Sequence, residues 1–209
     1  MRKIVISLII CITASMTSCG QNSLTEDKGV IINGVSWATR NVDNPGTFAV
    51  VSEDAGMFYQ WNRLKAWSAT EPGEYIAIGE IGGWDNSISE SKEWEKANSP
   101  CPTGWRLPTL DEINSLFAEN VSNIWTTQNG VQGRLFVDKL TNESMFLPAV
   151  GNRRYDDGSL AYVGTKGNYL CSEAGNGNYV CTMSFNTNKA SWNCYSGRHS
   201  GYSIRCVKE

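Results

Sequence analysis

The chain has 209 residues, with 18 basic and 21 acidic side chains and a net charge of −3. This length fits one domain with a sizeable core behind an N-terminal segment. A mildly acidic chain without a basic run is a poor candidate for binding nucleic acid or an anionic lipid surface. Eight Trp, eight Tyr and twenty Gly favour many short strands, turns and loops over long helices.

The first residues have the three parts of a secretory signal peptide. Arg2 and Lys3 give a positive start, Ile4–Ile12 form an apolar run, and small residues precede Cys19. The run is shorter than the roughly 20 apolar residues that span a bilayer. We therefore predict a signal peptide over residues 1–18. Its removal takes away two basic and no acidic residues, which leaves a net charge of −5.

The four residues that end this segment, Met16-Thr17-Ser18-Cys19, resemble the bacterial lipobox, although Met16 and Thr17 match it loosely. The resemblance implies that Cys19 is acylated with fatty acid such as palmitate; ordinary cleavage nearby is the alternative. Two or more acyl chains anchor a protein stably, because each buried methylene contributes about 0.8 kcal/mol. The polar residues that follow predict a lipidated, flexible tether over 19–28 and a globular domain over 29–209.

Several local patterns predict secondary structure in the first half of the domain. Asn33-Gly34 is a two-residue hairpin signal between apolar runs. The aromatic-rich Ala55–Asn62 predicts a buried strand, and the Gly/Ser/Glu/Pro-rich residues 68–91 predict a long surface excursion. Ser91–Ala97 predicts a short helix that carries Trp94.

The strongest helix signal follows Pro108. Thr109 and Glu112 have the spacing of a capping box, in which each side chain accepts a hydrogen bond from the other residue's backbone N–H. One buried stripe then follows at helical spacing, formed by Leu110, Ile113, Leu116 and Phe117. From Gly133 onward the pattern predicts strands and hairpins, with Asp156-Asp157-Gly158 as a turn.

Five phrases spread over residues 30–207 match one known family. They are Val35–Val42 (VSWATRNV), Ala55–Trp61 (AGMFYQW), Trp94–Thr109 (WEKANSPCPTGWRLPT), Phe146–Gly151 (FLPAVG) and Gly201–Val207 (GYSIRCV). With these phrases the chain resembles the Fibrobacter succinogenes major paralogous domain, a family common in envelope lipoproteins of Bacteroidetes. The resemblance implies an α+β, C-type-lectin-like fold, loop-rich, with short strands and hairpins, one or two helices, and paired N- and C-terminal strands. It also implies a ligand-binding lipoprotein of the outer membrane, facing either the surface or the periplasm.

The family resemblance also bears on the cysteines. It implies a disulfide between Cys101 and Cys206, which an exported protein can keep. Cys171, Cys181 and Cys194 depart from the family pattern. Five cysteines beyond Cys19 leave at least one unpaired. Because no two of them have C-x-x-C spacing, a local disulfide among the three is favoured over a zinc site.

The C-terminal segment has the composition of a binding surface. Residues 168–203 are dominated by Asn, Tyr, Ser, Gly, Cys and Thr, and several of these residue types are those that antibody paratopes use. An ordinary Gly/Asn-rich loop region is the alternative. We predict that this segment binds an extracellular or periplasmic glycan or protein through Tyr169, Tyr179, Trp192, Tyr195, Arg198, His199 and Tyr202.

The sequence offers little for catalysis. His199 is the single histidine, and the acidic pairs Glu53-Asp54 and Asp156-Asp157 flank turns or element ends. The Glu-Pro-Asn and Gln-Pro-Asp motifs of calcium-dependent lectins are absent. We therefore expect a binding protein with no enzymatic activity, no cofactor and no nucleic-acid partner. The alternative function is a structural or adhesive subunit of an envelope or fimbrial assembly.

Overall fold

The computed structural model describes residues 26–70 and 83–209, together with two short backbone segments at 76–77 and 80–81. The predicted signal peptide, Cys19 and most of the predicted tether lie outside the described residues. Asp27, near the end of that tether, is buried: its carboxylate accepts hydrogen bonds from the backbone N–H of Gly29 (2.9 Å) and Thr39 (3.0 Å) and pairs with Arg40 at 3.2 Å. The folded domain therefore includes Asp27, two residues before the predicted boundary.

The described residues form sixteen strands, one α-helix and one 3-10 helix. In the first half the strands are β1 (Val30–Ile32), β2 (Val35–Trp37), β3 (Met57–Tyr59), β4 (Ala66–Ser68), β5 (Ile76–Ala77), β6 (Glu80–Ile81) and β7 (Trp105–Arg106). The 3-10 helix spans Lys96–Asn98, and helix α1 spans Leu110–Ser115. The second half contains β8 (Val121–Gln128), β9 (Val131–Asp138), β10 (Ser144–Pro148), β11 (Asn152–Arg153), β12 (Leu160–Ala161), β13 (Lys166–Ala174), β14 (Tyr179–Asn186), β15 (Ala190–Gly197) and β16 (Val207–Lys208).

The predicted α+β class is wrong. Strands account for 42% of the described residues and helices for 5%, and the strands form several antiparallel sheets. Only the stretch after Pro108 has a buried stripe at helical spacing, whereas the long segments rich in aromatic, β-branched and glycine residues pair across hairpins. In the described part of the chain no helix is long and apolar enough to cross a membrane.

One sheet joins the two ends of the domain. Its strand order is β1-β2-β16-β7, so the C-terminal strand lies between the N-terminal hairpin and β7. The hairpin predicted at Asn33-Gly34 is confirmed: both residues have positive φ, 48° and 79°, as a type I′ turn requires. A disulfide between Cys101 and Cys206 ties the segment before β7 to the residue before β16. This is the pairing that the family resemblance implies.

Two three-stranded antiparallel sheets, β8–β10 and β13–β15, enclose the main core with helix α1. The core contains Trp37 from β2, Ile113 from α1, Phe136 from β9 and Met183 from β14, all almost fully buried. The stripe predicted for the helix therefore faces the core. The capping box is also confirmed, since Thr109 Oγ1 accepts from the Glu112 N–H at 3.1 Å while Glu112 Oε2 accepts from the Thr109 N–H at 2.8 Å.

A second core holds an internal arginine. Arg205 is buried between two residues of this core, Ile204 and Cys206, and it donates hydrogen bonds to Asn41 Oδ1 at 3.0 and 2.8 Å and to two backbone carbonyl oxygens. The segment Ala55–Asn62 contains strand β3, as predicted. The helix predicted over Ser91–Ala97 is wrong. Trp94 lies before a single 3-10 turn, and Glu95, at the N-cap position of that turn, makes no side-chain capping hydrogen bond.

Candidate ligand-binding site

A cavity of about 630 Å³ opens on the face of the β13–β15 sheet opposite the main core. Alternation along the strands places Tyr169 and Met183 on the core face and the paired Asn168 and Ser184 on the other face. The β11–β12 hairpin forms one wall, held by backbone hydrogen bonds between Arg153 and Gly201. The described residues that line the cavity are Asn152, Tyr155, Tyr162, Lys166, Asn168, Asn178, Tyr179, Ser184, Asn193, Tyr195, Ser196, Gly197, His199, Ser200 and Tyr202.

The floor of the cavity is a hydrogen-bonded row of amides and hydroxyls. Ser184 Oγ donates to Asn168 Oδ1 at 2.8 Å, and Asn168 Nδ2 donates to Asn152 Oδ1 at 3.3 Å. Ser196 Oγ lies 2.7 Å from the hydroxyl oxygen of Thr182 on the neighbouring strand. Because Asn168 is only 3% exposed and bonded on both sides, its side chain is held in one orientation. The floor is therefore a rigid set of neutral donors and acceptors.

The walls are tyrosines whose rings face solvent. The exposed fractions are 56% for Tyr155, 58% for Tyr162, 47% for Tyr179 and 80% for Tyr195. Tyr179 and Tyr195 meet edge to face with centroids 6.3 Å apart, and Tyr155 meets His199 in the same way at 5.0 Å. Exposed aromatic rings above a polar floor provide large amphipathic contact area at low entropic cost.

Tyr162 stands in the left-handed backbone region, with φ of 62°. Its carbonyl oxygen accepts hydrogen bonds from the N–H groups of Thr165 and Lys166, both at 3.0 Å, and from Thr165 Oγ1 at 2.9 Å. A bulky residue rarely adopts positive φ, and such strain concentrates at functional sites. The turn thus holds an exposed tyrosine ring at the rim of the cavity against its backbone preference.

The lining contains no acidic residue among those that the structure describes. Burial lowers the pKa of His199, so that its ring is neutral at pH 7, and its buried Nδ1 has no hydrogen-bond partner within the described residues. Lys166 is then the formally charged group of the lining, and its Nζ lies 5.4 Å from the centroid of the Tyr162 ring. The cavity carries a local positive charge in an acidic protein.

Four of the seven residues predicted to form a binding face line this cavity: Tyr179, Tyr195, His199 and Tyr202. Tyr202 lies at its base and is largely buried. The sequence pattern thus located two strands, β14 and β15, and the segment after them, all of which contribute to the cavity.

The other three predicted residues lie elsewhere. Tyr169 is on the core face of β13, where its hydroxyl donates to Pro148 O at 2.9 Å. Arg198 is buried and donates to the carbonyl oxygens of Tyr179, Ser89 and Ser91, so it fastens neighbouring segments together. Trp192 pairs with Met183 on the side of the sheet away from the cavity and donates to Asn114 Oδ1 at 3.0 Å. Composition alone could not distinguish the two faces of the sheet.

Sequence reasoning missed the wall that precedes the predicted segment. Asn152, Tyr155 and Tyr162 belong to the β11–β12 hairpin, which the sequence predicted correctly as a turn at Gly158. Two exposed tyrosines flanking that turn were the available signal. Their place in the cavity wall follows from tertiary contacts, the bridge of Arg153 to Gly201 and the contact of the Tyr155 ring with His199.

The three cysteines that depart from the family pattern lie on adjacent strands. Cys181 on β14 and Cys194 on β15 form a disulfide, and Cys171 on β13 is free and buried. The thiol of Cys171 donates to the Cys181 carbonyl oxygen at 3.3 Å, and burial raises its pKa to about 12. A buried thiol that stays protonated is unreactive. No group of three potential metal-ligating residues occurs in the described chain.

A second cavity, of about 700 Å³, lies beside the Cys101–Cys206 disulfide. Its lining includes Trp105, which packs edge to face against Phe48, and Arg106, which forms a two-point ion pair with Glu112 of the capping box. These groups already serve the packing around the start of α1. The tyrosine-lined cavity, by contrast, presents four tyrosine rings that are largely exposed to solvent.

No protein-family model, curated protein or solved structure matches this chain. The resemblance to the Fibrobacter succinogenes major paralogous domain therefore stays a prediction from the five phrases.

Proposed function

We propose that this protein is a lipid-anchored protein of the bacterial cell envelope that binds a glycan in the tyrosine-lined cavity. The anchor is argued from the sequence before Cys19. The single observation that carries the binding site is the combination of exposed tyrosine walls with a fixed, neutral amide and hydroxyl floor. Sugar rings offer apolar C–H faces to aromatic rings and hydroxyls to amides, so both halves of the cavity have a complement in a saccharide.

The proposed role is binding without catalysis. A glycosidase needs two carboxyl groups on either side of the scissile bond, and the described lining of the cavity contains none. The two described disulfides suit an extracytoplasmic protein, since disulfides persist in oxidising compartments.

The test compares two aromatic residues of the same strand. Full-length protein in detergent is applied to an oligosaccharide array. The Tyr195→Ala variant is expected to bind about tenfold more weakly than the wild type, because a central aromatic contact contributes about 1.4 kcal/mol to binding. Trp192→Ala is the matched control, since Trp192 is also exposed but lies on the other face of β15.

Equal loss in both variants would show that the cavity is not the site. If wild-type protein binds no glycan and is recovered in a large assembly, the glycan proposal is wrong, and the role of structural or adhesive subunit gains support. Thermal unfolding of both variants, measured alongside, separates lost contact from lost fold.

A further inference from the structure

We infer that the cavity selects a sugar that carries a carboxylate, such as a uronic acid, and that the ammonium group of Lys166 binds this carboxylate. The inference rests on the proposed function, because it names the chemical class of the ligand at the same site.

The position of Lys166 is fixed by the backbone. Its N–H donates to the Tyr162 carbonyl oxygen at 3.0 Å, and its carbonyl oxygen accepts from the Gly151 N–H at 2.7 Å. The residue thus begins β13 at the point where the β11–β12 hairpin joins the sheet. Its side chain enters the lining of the cavity from an ordered element rather than from a loose loop.

The ammonium group has no carboxylate partner in the described chain. The ion pairs there join Arg40 to Asp27, Arg63 to Asp85, Lys96 to Glu209 and Arg106 to Glu112. Lys166 Nζ instead lies 5.4 Å from the Tyr162 ring centroid, a cation–π distance that restrains the side chain and leaves its charge unneutralised.

The acidic residues nearest to Lys166 in the sequence have other partners. Glu173 Oε1 accepts from the Leu110 N–H at 3.0 Å, and the next two acidic residues bond within their own turn. Asp157 Oδ1 accepts from the Ser159 N–H at 2.9 Å, and Asp156 Oδ1 accepts from the Asp157 N–H at 3.1 Å. None of these carboxylates lines the cavity. An anionic ligand therefore meets an unpaired ammonium and neutral donors there, without like-charge repulsion from the described lining.

The floor complements the same ligand. Asn168 and Asn152 each donate one amide hydrogen within the protein and keep a second that can donate to carboxylate or hydroxyl oxygens. Ser184 Oγ, whose proton goes to Asn168, can accept from a sugar hydroxyl, and the ammonium contributes a charge-assisted hydrogen bond. The Tyr162 ring, held outward by its left-handed backbone, lies next to the ammonium and offers a stacking surface for the sugar ring that carries the carboxylate.

The experiment uses matched pairs of sugars that differ only in oxidation at C6: oligomers of glucose against glucuronic acid, and of galactose against galacturonic acid. Wild-type protein is expected to bind the acidic member of a pair about tenfold more tightly, as one charge-assisted hydrogen bond predicts. Lys166→Gln should abolish this preference and keep neutral binding, and Lys166→Arg should retain it. Lys189→Gln, a lysine in the β14–β15 turn outside the cavity, should change nothing.

Binding of neutral and acidic members with equal affinity by the wild type would overturn the inference while leaving the proposed function intact. A preference that survives in Lys166→Gln would overturn the role of Lys166. Absence of binding to either member of every pair would contradict the proposed function itself.

Discussion

At the scale of single residues, the folded environment sets the chemistry of Cys171. Its side chain lies in the main core between Tyr169 and the Cys181–Cys194 disulfide, and burial raises its pKa from 9.0 to about 12. The thiol is therefore neutral across the physiological range and a poor nucleophile toward the neighbouring disulfide. One odd cysteine can coexist with two disulfides because its thiolate form is suppressed.

This shift predicts an alkaline loss of stability. A folded-state pKa above the unfolded value contributes stability that is complete below pH 9 and is lost as the pH rises toward 12, at up to about 1.4 kcal/mol per pH unit. The free energy of unfolding is measured with urea for the wild type and for Cys171→Ala at pH 8 and at pH 10.5, roughly one and a half units above the unfolded pKa. It should fall less between the two pH values in the variant than in the wild type. Parallel losses in the two proteins would contradict a raised pKa at Cys171.

At the scale of elements, strand β15 carries part of the cavity and lies at the edge of its sheet. Its partner on one side is β14, and the Cys181–Cys194 disulfide joins the two strands across a sequence separation of 13 residues. Tyr195 directly follows Cys194 and faces the cavity. The disulfide thus stabilises the element that presents the most exposed tyrosine of the lining.

Removing this disulfide should loosen β15 selectively. The double variant Cys181→Ala/Cys194→Ala is expected to lose about 3 kcal/mol of unfolding free energy, as loop closure of this length predicts. Amide hydrogen exchange over Ala190–Gly197 should accelerate more than exchange in the β8–β9 hairpin, with Cys171→Ala as the control for loss of a buried thiol. Uniform acceleration in both regions would mean that the disulfide stabilises the whole domain rather than this strand.

At the scale of the whole molecule, the chain closes on itself near its two ends. Strand β16 pairs with β2 and β7, and Cys101–Cys206 closes a loop with a sequence separation of 105. A loop of that length constrains the unfolded chain by roughly 4 to 5 kcal/mol on the entropy model. The sheet that contains the C-terminal strand β16 also holds the N-terminal hairpin, which leads to the proposed anchor.

The anchor itself makes a prediction about the full-length protein. In a bacterium that processes lipoproteins, wild-type protein should incorporate labelled palmitate and sediment with membranes, because acyl chains at Cys19 would hold it there. Cys19→Ser should lose both properties, whereas Cys171→Ser should keep them. Membrane association of Cys19→Ser equal to that of the wild type would show that lipid at this cysteine is not the anchor.

Local features were the ones that the sequence predicted well. The Asn33-Gly34 turn and the Thr109–Glu112 capping box depend on residues within four positions of each other, so their physics is complete in the sequence. The predicted α+β class came from the family resemblance and was wrong, whereas the composition alone favoured the short strands and turns that dominate the fold. Helical periodicity can be recognised within one segment of a sequence, whereas the pairing of strands depends on two segments at once.

The binding face shows where local reasoning ends. Tyr195 and Trp192 lie three positions apart on β15, which places them on opposite faces of the sheet, Tyr195 at the cavity and Trp192 beside helix α1. Which of the two faces is the core face depends on how β15 pairs with β14. Strand alternation means that a shift of one residue exchanges the two faces of a sheet. Arg198 was predicted to contact a ligand from its position in the Tyr/Asn/Ser/Gly-rich segment, but its guanidinium group donates to three backbone carbonyl oxygens of the protein itself.

By itself the sequence determined the turn at Asn33-Gly34, the start of helix α1 and the residue types available for binding, because each depends on neighbours along the chain. Tertiary structure alone decided that the β11–β12 hairpin meets Gly201, in the segment after β15, that Lys166 enters the cavity without a carboxylate partner in the described chain, and that Tyr169 lies in the core. These outcomes depend on contacts between residues far apart in sequence and on the facing of each strand. Both are set by how the sheets pack around a common core.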